Sequence, residues 1–300
     1  MSTPVIEINQ VSRNFGEVLA VDNISFAVEQ GETLGLIGHN GAGKSTLFKM
    51  LLGLIPVSAG EIRINNTPLQ GDAFRELRRS IGYLPENVVF YDNLSGLETL
   101  QFLAALKGCT AKEAMPLLEQ VGLSHAADRL VSVYSKGMRQ RLGFAQALLG
   151  KPRFLFLDEP TNGLDPEAIR EFYKILHKLN QQGVTVIITS HILSEIQQRV
   201  QRLAVMRNGK LQALGTVQSL RESVDLPLII QLRCHQTPYL DEILQDIPTE
   251  FKSINGHNAE IHIQRRWKME LLRRLTTQSG IEDIVVHEPT LEDIFLGYAG

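Results

Sequence analysis

Runs of consecutive apolar residues recur through the first two thirds of the chain and predict strands that are covered on both faces. Three of them, Thr33–Ile37, Phe154–Leu157 and Val184–Thr189, are strand-sized and almost entirely apolar. Segments with helical apolar spacing, such as Pro166–Leu179, separate the runs. Buried strands that alternate with helices predict an α/β domain with a largely parallel sheet, which binds ligands beyond the carboxyl ends of its strands.

Weaker patterns predict further strands at the two ends of this domain. Val5–Ile8 alternates as a short strand, Val11–Gly16 follows as a turn, and Val18–Val28 divides into two more strands. Farther along the chain, Leu203–Arg207 and Lys210–Ala213 predict a hairpin. The two residues between them, Asn-Gly, favour the backbone of a tight hairpin turn.

A helical stretch interrupts the strand pattern at about residues 87–150. The capping box Ser95–Glu98 opens an amphipathic helix over Leu97–Leu106, and a second helix covers about Ala111–Gln120. The stretch is either an inserted helical subdomain or packing material for the sheet. Insertion is favoured because the helical pattern continues without a strand to Ser132.

The pattern changes near residues 215–226, which predicts a first domain of residues 1–215 and a second domain of residues 216–300. The predicted elements of the second domain are the strand Leu228–Arg233, the helix Pro238–Gln245, the strands Phe251–Ile254 and Glu260–Ile263, the helix Trp267–Thr277, the strand Ile281–His287 and a closing helix Pro289–Leu296. The β-α-β-β-α-β order before the closing helix predicts a small α+β domain of the ferredoxin-like arrangement.

The clearest chemical motif follows the strand Thr33–Ile37 and reads G-x-x-x-x-G-K-S. It comprises Gly38, His39, Asn40, Gly41, Ala42, Gly43, Lys44, Ser45 and Thr46. Glycines let backbone N–H groups converge on phosphate oxygens, and the N-terminus of the next helix adds a positive dipole. Lys44 is expected to reach the β- and γ-phosphates, and the Ser45 hydroxyl to ligate Mg²⁺. The motif predicts that the chain binds a nucleoside triphosphate.

Acidic and imidazole side chains follow two of the other buried strands. Asp158 and Glu159 come directly after Phe154–Leu157, and His191 closely follows Val184–Thr189. At this edge of a P-loop protein one carboxylate holds Mg²⁺ and a further acid can polarise the attacking water. A histidine at the same edge is a candidate for contacting the γ-phosphate.

Two further features each have two interpretations. A lone aromatic such as Phe15 is more often a core residue, although it also suits a position against an adenine ring. Ser135 is the predicted N-cap of a helix over Lys136–Leu149. In the first interpretation this is an ordinary capped helix on the protein surface. The Ser135 hydroxyl and the Gly137 amide at that N-terminus equally form a second anion site.

Composition narrows the class of protein. The chain has 300 residues, a net charge of −3 and two cysteines, so neither a basic field for nucleic acid nor a disulfide framework is expected. No apolar run approaches membrane-spanning length, and the first residues predict no export signal. Cys234 and His235 are adjacent on a predicted strand and face opposite sides, and the nearby histidines lack ligand spacing, so a regulatory or dimer-contact domain is favoured over a metal-binding tail.

Together the phosphate loop, the Asp158-Glu159 pair and the strand ending at His191 resemble the ATP-binding cassette (ABC) family over roughly residues 4–215. The resemblance implies a P-loop ABC ATPase with ATP and Mg²⁺ as cofactors. It implies Glu159 as the catalytic glutamate, assisted by His191 and Lys44. It also implies nucleotide contacts from Phe15, from the loop residues Gly38 to Thr46, from Glu86, from Ser135 and Gly137, and from Asp165.

Two motifs depart from the family pattern. Tyr-Ser-Lys-Gly-Met at Tyr134–Met138 replaces the usual Leu-Ser-Gly-Gly-Gln, but Ser135 and Gly137 are kept. Glu86 stands where the family usually has glutamine, and a carboxylate there can still ligate Mg²⁺. The implied Mg²⁺ ligands are therefore Ser45, Glu86 and Asp158.

Gly82–Asn87, Tyr134–Leu142 and Ala145–Gly150 further resemble the NosF-type subgroup of this family. This resemblance implies a homodimer of cassettes at the cytoplasmic face of the inner membrane, with Asn87–Leu106 against a multispan NosY-type subunit and, through it, a periplasmic NosD-type protein. It implies a role in copper-site maturation of nitrous oxide reductase, with copper or a sulfur species as cargo. The alternatives are an ABC exporter with unrelated cargo and a soluble ABC ATPase outside transport.

Overall fold

Hydrophobic burial divides the chain into two units, Met1–Thr216 and Val217–Gly300, each with its own core. The computed structural model describes residues 4–223, 226–235, 240–278 and 280–289. Residues 290–296 of the predicted closing helix lie outside these ranges. Within them, no helix is both long and apolar enough to cross a membrane.

The first unit contains ten strands and seven α-helices among its described residues. The strands are β1 (Pro4–Phe15), β2 (Val18–Glu29), β3 (Thr33–Ile37), β4 (Ala59–Ile64), β5 (Thr67–Pro68), β6 (Ile81–Leu84), β7 (Phe154–Leu157), β8 (Thr185–Ser190), β9 (Arg202–Arg207) and β10 (Lys210–Gly215). The helices are α1 (Lys44–Leu51), α2 (Gly71–Arg78), α3 (Gly96–Lys107), α4 (Ala114–Gln120), α5 (Lys136–Leu148), α6 (Pro166–Gln181) and α7 (Leu193–Ile196), with 3-10 turns at Ala111–Glu113, Ser124–Ala126 and Val131–Val133.

The main sheet has the strand order β10-β9-β3-β8-β7-β6. Neighbouring strands from β9 to β6 are parallel, and β10 returns antiparallel to β9. Every residue of β3, β7 and β8 is buried, as expected for strands covered on both faces. Because these strands run the same way, the residues that follow them meet at one edge of the sheet.

The second sheet corrects the prediction for the N-terminus. Pro4–Phe15 and Val18–Glu29 are single twelve-residue antiparallel strands, so the predicted turn at Val11–Gly16 and the division of Val18–Val28 are wrong. Register shifts interrupt their pairing, and Gln10 and Asn23 adopt φ of 49°. The Ser25 and Ser12 hydroxyls accept the N–H groups of Gln10 and Asn23 at 2.8 and 2.9 Å. Serines thus satisfy donors that the bulges remove from the ladder.

The helical stretch at residues 87–150 contains α3, α4 and α5 and no named strand. Its first helix begins at the predicted capping box: Glu98 N–H donates to Ser95 Oγ, and the Glu98 carboxylate accepts from Ser95 N–H. The Asn-Gly hairpin is likewise present between β9 and β10, with φ of 48° at Asn208 and 79° at Gly209. Both features follow from local chemistry.

The second unit is an antiparallel sheet of strand order β12-β13-β11-β14 packed against helices. Its elements are α8 (Val217–Ser223), β11 (Leu228–Cys234), α9 (Leu240–Ile243), β12 (Thr249–Asn255), β13 (Asn258–Ile263), α10 (Lys268–Thr276) and β14 (Ile281–His287), with a 3-10 turn at Arg265–Trp267. Burial alternates along β11 and β13, whose inward residues pack with Leu240, Leu271 and Leu275. The ferredoxin-like class of this domain stays a prediction.

Candidate functional site

The loop between β3 and α1 forms a tight backbone cradle. Gly41 and Gly43 have φ of 84° and 97°, a left-handed region that favours glycine. A Cβ atom at Gly38 would lie 2.5 Å from the Met206 carbonyl oxygen, and one at Gly43 would lie 2.5 Å from the Ala20 carbonyl oxygen. The loop therefore holds its shape only with glycine at these positions.

Neighbouring segments brace this cradle. The backbone N–H of Gly209, in the β9–β10 turn, donates to the Ala42 carbonyl at 3.1 Å, and the Gly209 carbonyl accepts from Asp22 N–H at 2.8 Å. Among the remaining loop residues, Ala42 is buried, Thr46 is half-buried, and His39, Asn40, Gly41 and Ser45 are exposed. The Ser45 hydroxyl is thus accessible at the first turn of α1.

Lys44 is buried within the cradle. Its ammonium donates to the Gly38 carbonyl at 2.6 Å and to the His39 carbonyl at 3.3 Å. Burial lowers the pKa of Lys44, and the negative charges of Glu159, Asp158 and Glu86 offset part of that effect. The Lys44 ammonium thus lies within the electrostatic field of these three carboxylates.

Asp158 and Glu159 leave the carboxyl end of β7 and share one partner on β8. The Thr189 hydroxyl donates to Asp158 Oδ1 at 2.6 Å and accepts from the Glu159 N–H at 2.9 Å. Burial raises the pKa of Asp158, and the charges of Glu86 and Glu159 act in the same direction. Glu159 itself has φ of 47°, which is uncommon for a residue with a side chain.

His191 lies beside this pair at the end of β8. Its Nδ1 is 2.7 Å from Glu159 Oε2. The Glu159 side chain is only 10% exposed, whereas that of His191 is 47% exposed. A mostly buried carboxylate therefore orients an imidazole that reaches the surface of the site.

Glu86 follows β6 at the same edge and is exposed. Its charge contributes to the raised pKa of Asp158 and, after burial and Asp158, to that of Tyr83, which rises to about 12. Glu86 thus acts electrostatically on the same site as Asp158.

These side chains suit Mg²⁺ bound together with a nucleotide. Ser45, Glu86 and Asp158 offer oxygen donors, which Mg²⁺ prefers, and three carboxylates face one ammonium. The described residues contain no cluster of three or more His, Cys, Asp or Glu side chains that could hold a metal ion. A cation here would accordingly need phosphate oxygens and water to complete its ligands.

Ser135, Gly137 and Asp165 lie on other elements of the unit. Ser135 is the N-cap of α5, as predicted, and its Oγ accepts from Met138 N–H at 3.2 Å. A Cβ at Gly137 would lie 3.0 Å from the Gly163 carbonyl, which places the start of α5 against the turn before α6. Asp165 caps α6 by accepting from Ala168 N–H at 2.8 Å. Ser135 and Asp165 are both exposed.

Phe15 is on the surface, so the core interpretation of this residue is wrong. Phe15 is 47% exposed at the end of β1, and the Arg13 guanidinium lies 4.6 Å from the centroid of its ring. Directly after the β1–β2 turn, Val18 and Leu19 are exposed as well, and the chain then reaches Ala20 beside the cradle. Because the Arg13 guanidinium lies over one face of the ring, a flat ligand could stack only on the other face.

The sequence did not reveal three residues of this site. Thr189 joins the two acids, Gly209 supports the phosphate loop, and the buried Gln140 side chain donates to the Pro160 carbonyl at 3.0 Å. A buried threonine at the end of an apolar strand was the available signal for Thr189. Its partners lie 31 and 30 positions away in the chain, so only the folded arrangement identifies them.

Comparison with known proteins shows what the chain is similar to. A family model described as "ABC transporter" matches residues 21–162. The chain is 35% identical to the bacitracin transport ATP-binding protein BcrA of Bacillus licheniformis, over 100% of this chain and 98% of that protein. It is 30% identical to the linearmycin resistance ATP-binding protein LnrL of Bacillus subtilis (strain 168), over 99% and 98% of the two chains.

Other matches are partial: one curated relative is much longer than this chain, and one solved structure covers only part of this chain. The chain is 32% identical, over 96% of its length, to ATP-binding cassette sub-family A member 2 of Homo sapiens, but spans only 12% of that protein. The dimeric structure of the bacterial ABC transporter cassette MJ0796 superimposes with a TM-score of 0.65 at 26% identity, covering 71% of this chain and 98% of that chain.

Proposed function

The chain belongs to the ABC transporter family as an ATP-hydrolysing cassette, and we propose that it turns ATP over at the edge formed by β3, β7 and β8 to drive a membrane partner. The observation that carries this proposal is the 2.7 Å contact between His191 and Glu159, an acid whose charge also acts on Lys44. The contact links Glu159, the candidate general base, directly to His191, the candidate phosphate sensor.

Each side chain has a role that its position suits. Glu159 accepts a hydrogen bond from the attacking water and polarises it for in-line attack on the γ-phosphoryl group. Lys44 offsets the charge of the β- and γ-phosphates, and His191 contacts the γ-phosphate through the imidazole nitrogen that Glu159 leaves free. Mg²⁺, when bound through Ser45, Asp158 and Glu86, supplies further charge neutralisation.

A second copy of the chain completes the site in this proposal. The exposed Ser135 and the half-buried Gly137 lie at a helix N-terminus, which suits the γ-phosphate of a nucleotide held by another chain. Gly137 also lies against Gly163, next to Asp165 in the turn that would face the partner. Two chains that dimerise head to tail would therefore enclose two nucleotides. The similarity to a cassette solved as a dimer supports this arrangement.

The helical stretch offers a surface for a membrane partner. In the predicted contact segment Asn87–Leu106, Val89 is 87% and Leu106 is 70% exposed. Tyr91 and Phe102 are exposed too, and their rings pack edge to face with centroids 6.1 Å apart. We call these four side chains the helical patch. Clustered exposed apolar groups of this kind mark interaction sites.

Two cargo classes have separate support. Glu86 and the Tyr134–Met138 segment favour a NosF-type subunit at the cytoplasmic face of the inner membrane, which serves copper-site maturation of nitrous oxide reductase with NosY-type and NosD-type partners. The full-length similarity to BcrA and LnrL favours an exporter of a different cargo, in the manner of proteins named for bacitracin transport and linearmycin resistance. We place the NosF-type role first and the second class as its alternative.

The partners can be captured with a Glu159→Gln chain incubated with ATP, affinity-purified from solubilised membranes of its own cells. A multispan protein together with a periplasmic repeat protein would support the NosF-type role. A multispan protein alone would support the transport function and leave the choice of cargo to the deletion strain described below. Ribosomes or DNA in place of membrane proteins would contradict the transport function.

A surface variant and a gene deletion sharpen this experiment. Replacing Val89 and Leu106 by aspartate should abolish capture of the multispan protein and leave ATP affinity unchanged. Met269→Asp is the matched control, because Met269 is 73% exposed but belongs to the second unit. In a deletion strain, loss of copper from nitrous oxide reductase with unaltered sensitivity to bacitracin and linearmycin would select the NosF-type role. The reverse pattern would select the alternative.

A further inference from the structure

We infer that Thr189 is a positioning residue that holds the carboxylate of Asp158 and the backbone of Glu159 in one fixed relation. The inference rests on the roles proposed above for those two acids. Thr189 is fully buried on β8. Its hydroxyl donates to Asp158 Oδ1 at 2.6 Å and accepts from the Glu159 N–H at 2.9 Å.

A hydroxyl is the group that this position requires. One oxygen both donates and accepts here, whereas a valine of nearly the same shape would do neither. Loss of the hydroxyl would leave the Glu159 N–H and Asp158 Oδ1 without this partner in a buried place. Buried polar groups that lose their partners are unfavourable, so both groups would shift towards other donors, acceptors or water.

The two bonds constrain different degrees of freedom. The terminal torsion of a carboxylate is soft, so the bond from Thr189 selects the orientation of Asp158. The backbone of Glu159 has φ of 47°, a conformation that persists only where the surroundings hold it. The bond to its N–H is one such constraint, and it joins β8 to the first residue after Asp158.

The same strand supplies a matched control. Thr185 lies four positions earlier on β8, is also buried, and its hydroxyl accepts the Gly31 N–H at 2.9 Å. Thr185→Val therefore removes a buried hydroxyl and an N–H acceptor from the same strand, at its other end. Thr189→Ser keeps the hydroxyl and removes only a methyl group.

The test compares Thr189→Val, Thr189→Ser and Thr185→Val in the full chain. We expect Thr189→Val to lower kcat for ATP hydrolysis by about tenfold or more, since two polar partners are lost together. Its affinity for Mn²⁺ in the presence of ADP, measured by electron paramagnetic resonance, should weaken several-fold. Its affinity for metal-free nucleotide should not change. Thr189→Ser should restore kcat and Mn²⁺ affinity, and Thr185→Val should lower only the melting temperature.

Equal effects of Thr189→Val and Thr185→Val on kcat and Mn²⁺ affinity would overturn the inference, because Thr189 would then be structural only. If Thr189→Val does not fold, Thr189→Cys gives the same comparison, since a thiol is a weak donor and acceptor. If Glu159→Gln still hydrolyses ATP, the result contradicts the proposed function itself. If Glu159→Gln is inactive but Thr189→Val is fully active, the result contradicts only the positioning role of Thr189.

Discussion

The Nδ1 atom of His191 lies 2.7 Å from Oε2 of Glu159, at the ends of two adjacent parallel strands. A carboxylate only accepts hydrogen bonds, so this contact places a proton on Nδ1. Nε2 is then the nitrogen that remains for other contacts on a half-exposed ring. The relationship explains how an exposed imidazole keeps a defined orientation.

The first prediction concerns Glu159→Gln. Glutamine keeps an oxygen that accepts from His191 but cannot take up a proton, so kcat should fall about 100-fold or more. ATP affinity should stay within a factor of about three, because Lys44 and the loop are untouched. Phosphate release and titration calorimetry measure the two quantities, and light scattering should show an ATP-dependent dimer.

Glu171→Gln is the control for this variant, because Glu171 is an exposed carboxylate on α6 that pairs only with Lys174 among the described residues. It should retain full turnover. More than a tenth of the normal steady-state rate in Glu159→Gln would contradict the catalytic assignment.

The second prediction is that Asp158→Asn stabilises the nucleotide-free chain at neutral pH. Burial, with Glu86 and Glu159, raises the pKa of folded Asp158 above its unfolded value of 3.8. As pH rises from the unfolded value through the folded pKa, the unfolded state loses its proton first, so stability falls. Above that window the ionised carboxylate carries its full cost, which asparagine avoids while still accepting from Thr189.

We therefore expect the melting temperature of Asp158→Asn to exceed that of the parent by a few degrees at pH 7. The difference should shrink as pH approaches about 4 and vanish below it, where Asp158 is protonated in both states. Calorimetry across this pH range measures both quantities. A lower melting temperature at pH 7 would show that the Asp158 charge is stabilising.

The third prediction concerns Phe15 as the surface on which adenine stacks. Phe15→Ala should weaken ATP binding about tenfold, a loss within the range of one base–aromatic stack, and Phe15→Trp should preserve it. Tyr91→Ala is the control, since Tyr91 is an even more exposed aromatic that belongs to the helical patch. Equal ATP affinities in Phe15→Ala and Tyr91→Ala would remove Phe15 from the nucleotide site.

The fourth prediction tests why tyrosine precedes Ser135. The Tyr134 hydroxyl donates to the Ala126 carbonyl at 2.7 Å, and a Cβ atom at Gly96 would lie only 2.2 Å from that hydroxyl. Gly96→Ala should therefore destabilise the chain by about 1–3 kcal/mol. Tyr134→Phe should cost about 1 kcal/mol by removing the hydrogen bond.

The two changes should be less than additive in urea unfolding, because Tyr134→Phe removes the atom that the Gly96 methyl group would strike. If the two free-energy changes add fully, the methyl group of Gly96→Ala does not clash with the Tyr134 hydroxyl. In that case the tyrosine would not explain the glycine at the start of α3.

Local sequence patterns were sufficient to predict the elements that form the site. The predicted strands Thr33–Ile37 and Phe154–Leu157 match β3 and β7, and the N-cap at Ser135 and the capping box at Ser95 are present. Each depends on chemistry within a few residues: an unbroken apolar run, or a side chain that caps its own helix. The catalytic and nucleotide-binding roles of the site residues stay predictions.

The N-terminal strands show where local patterns failed. Bulges in β1 and β2 break the alternation of apolar and polar positions, so one long strand looks like a short strand and a turn. The strands continue because serine hydroxyls across the sheet accept the displaced N–H groups. That compensation depends on the register of pairing, which distant residues set.

The sequence by itself determined that a phosphate loop, two acids and a histidine each follow a buried strand, because those motifs are contiguous in the chain. Only the tertiary structure decided which of their atoms meet. Parallel pairing of β7 with β8 brings Thr189 to both acids and His191 to Glu159. Parallel pairing of β3 with β9 brings the β9–β10 turn to the phosphate loop. These contacts depend on strand order and side-chain direction, which arise from packing across segments far apart in the chain.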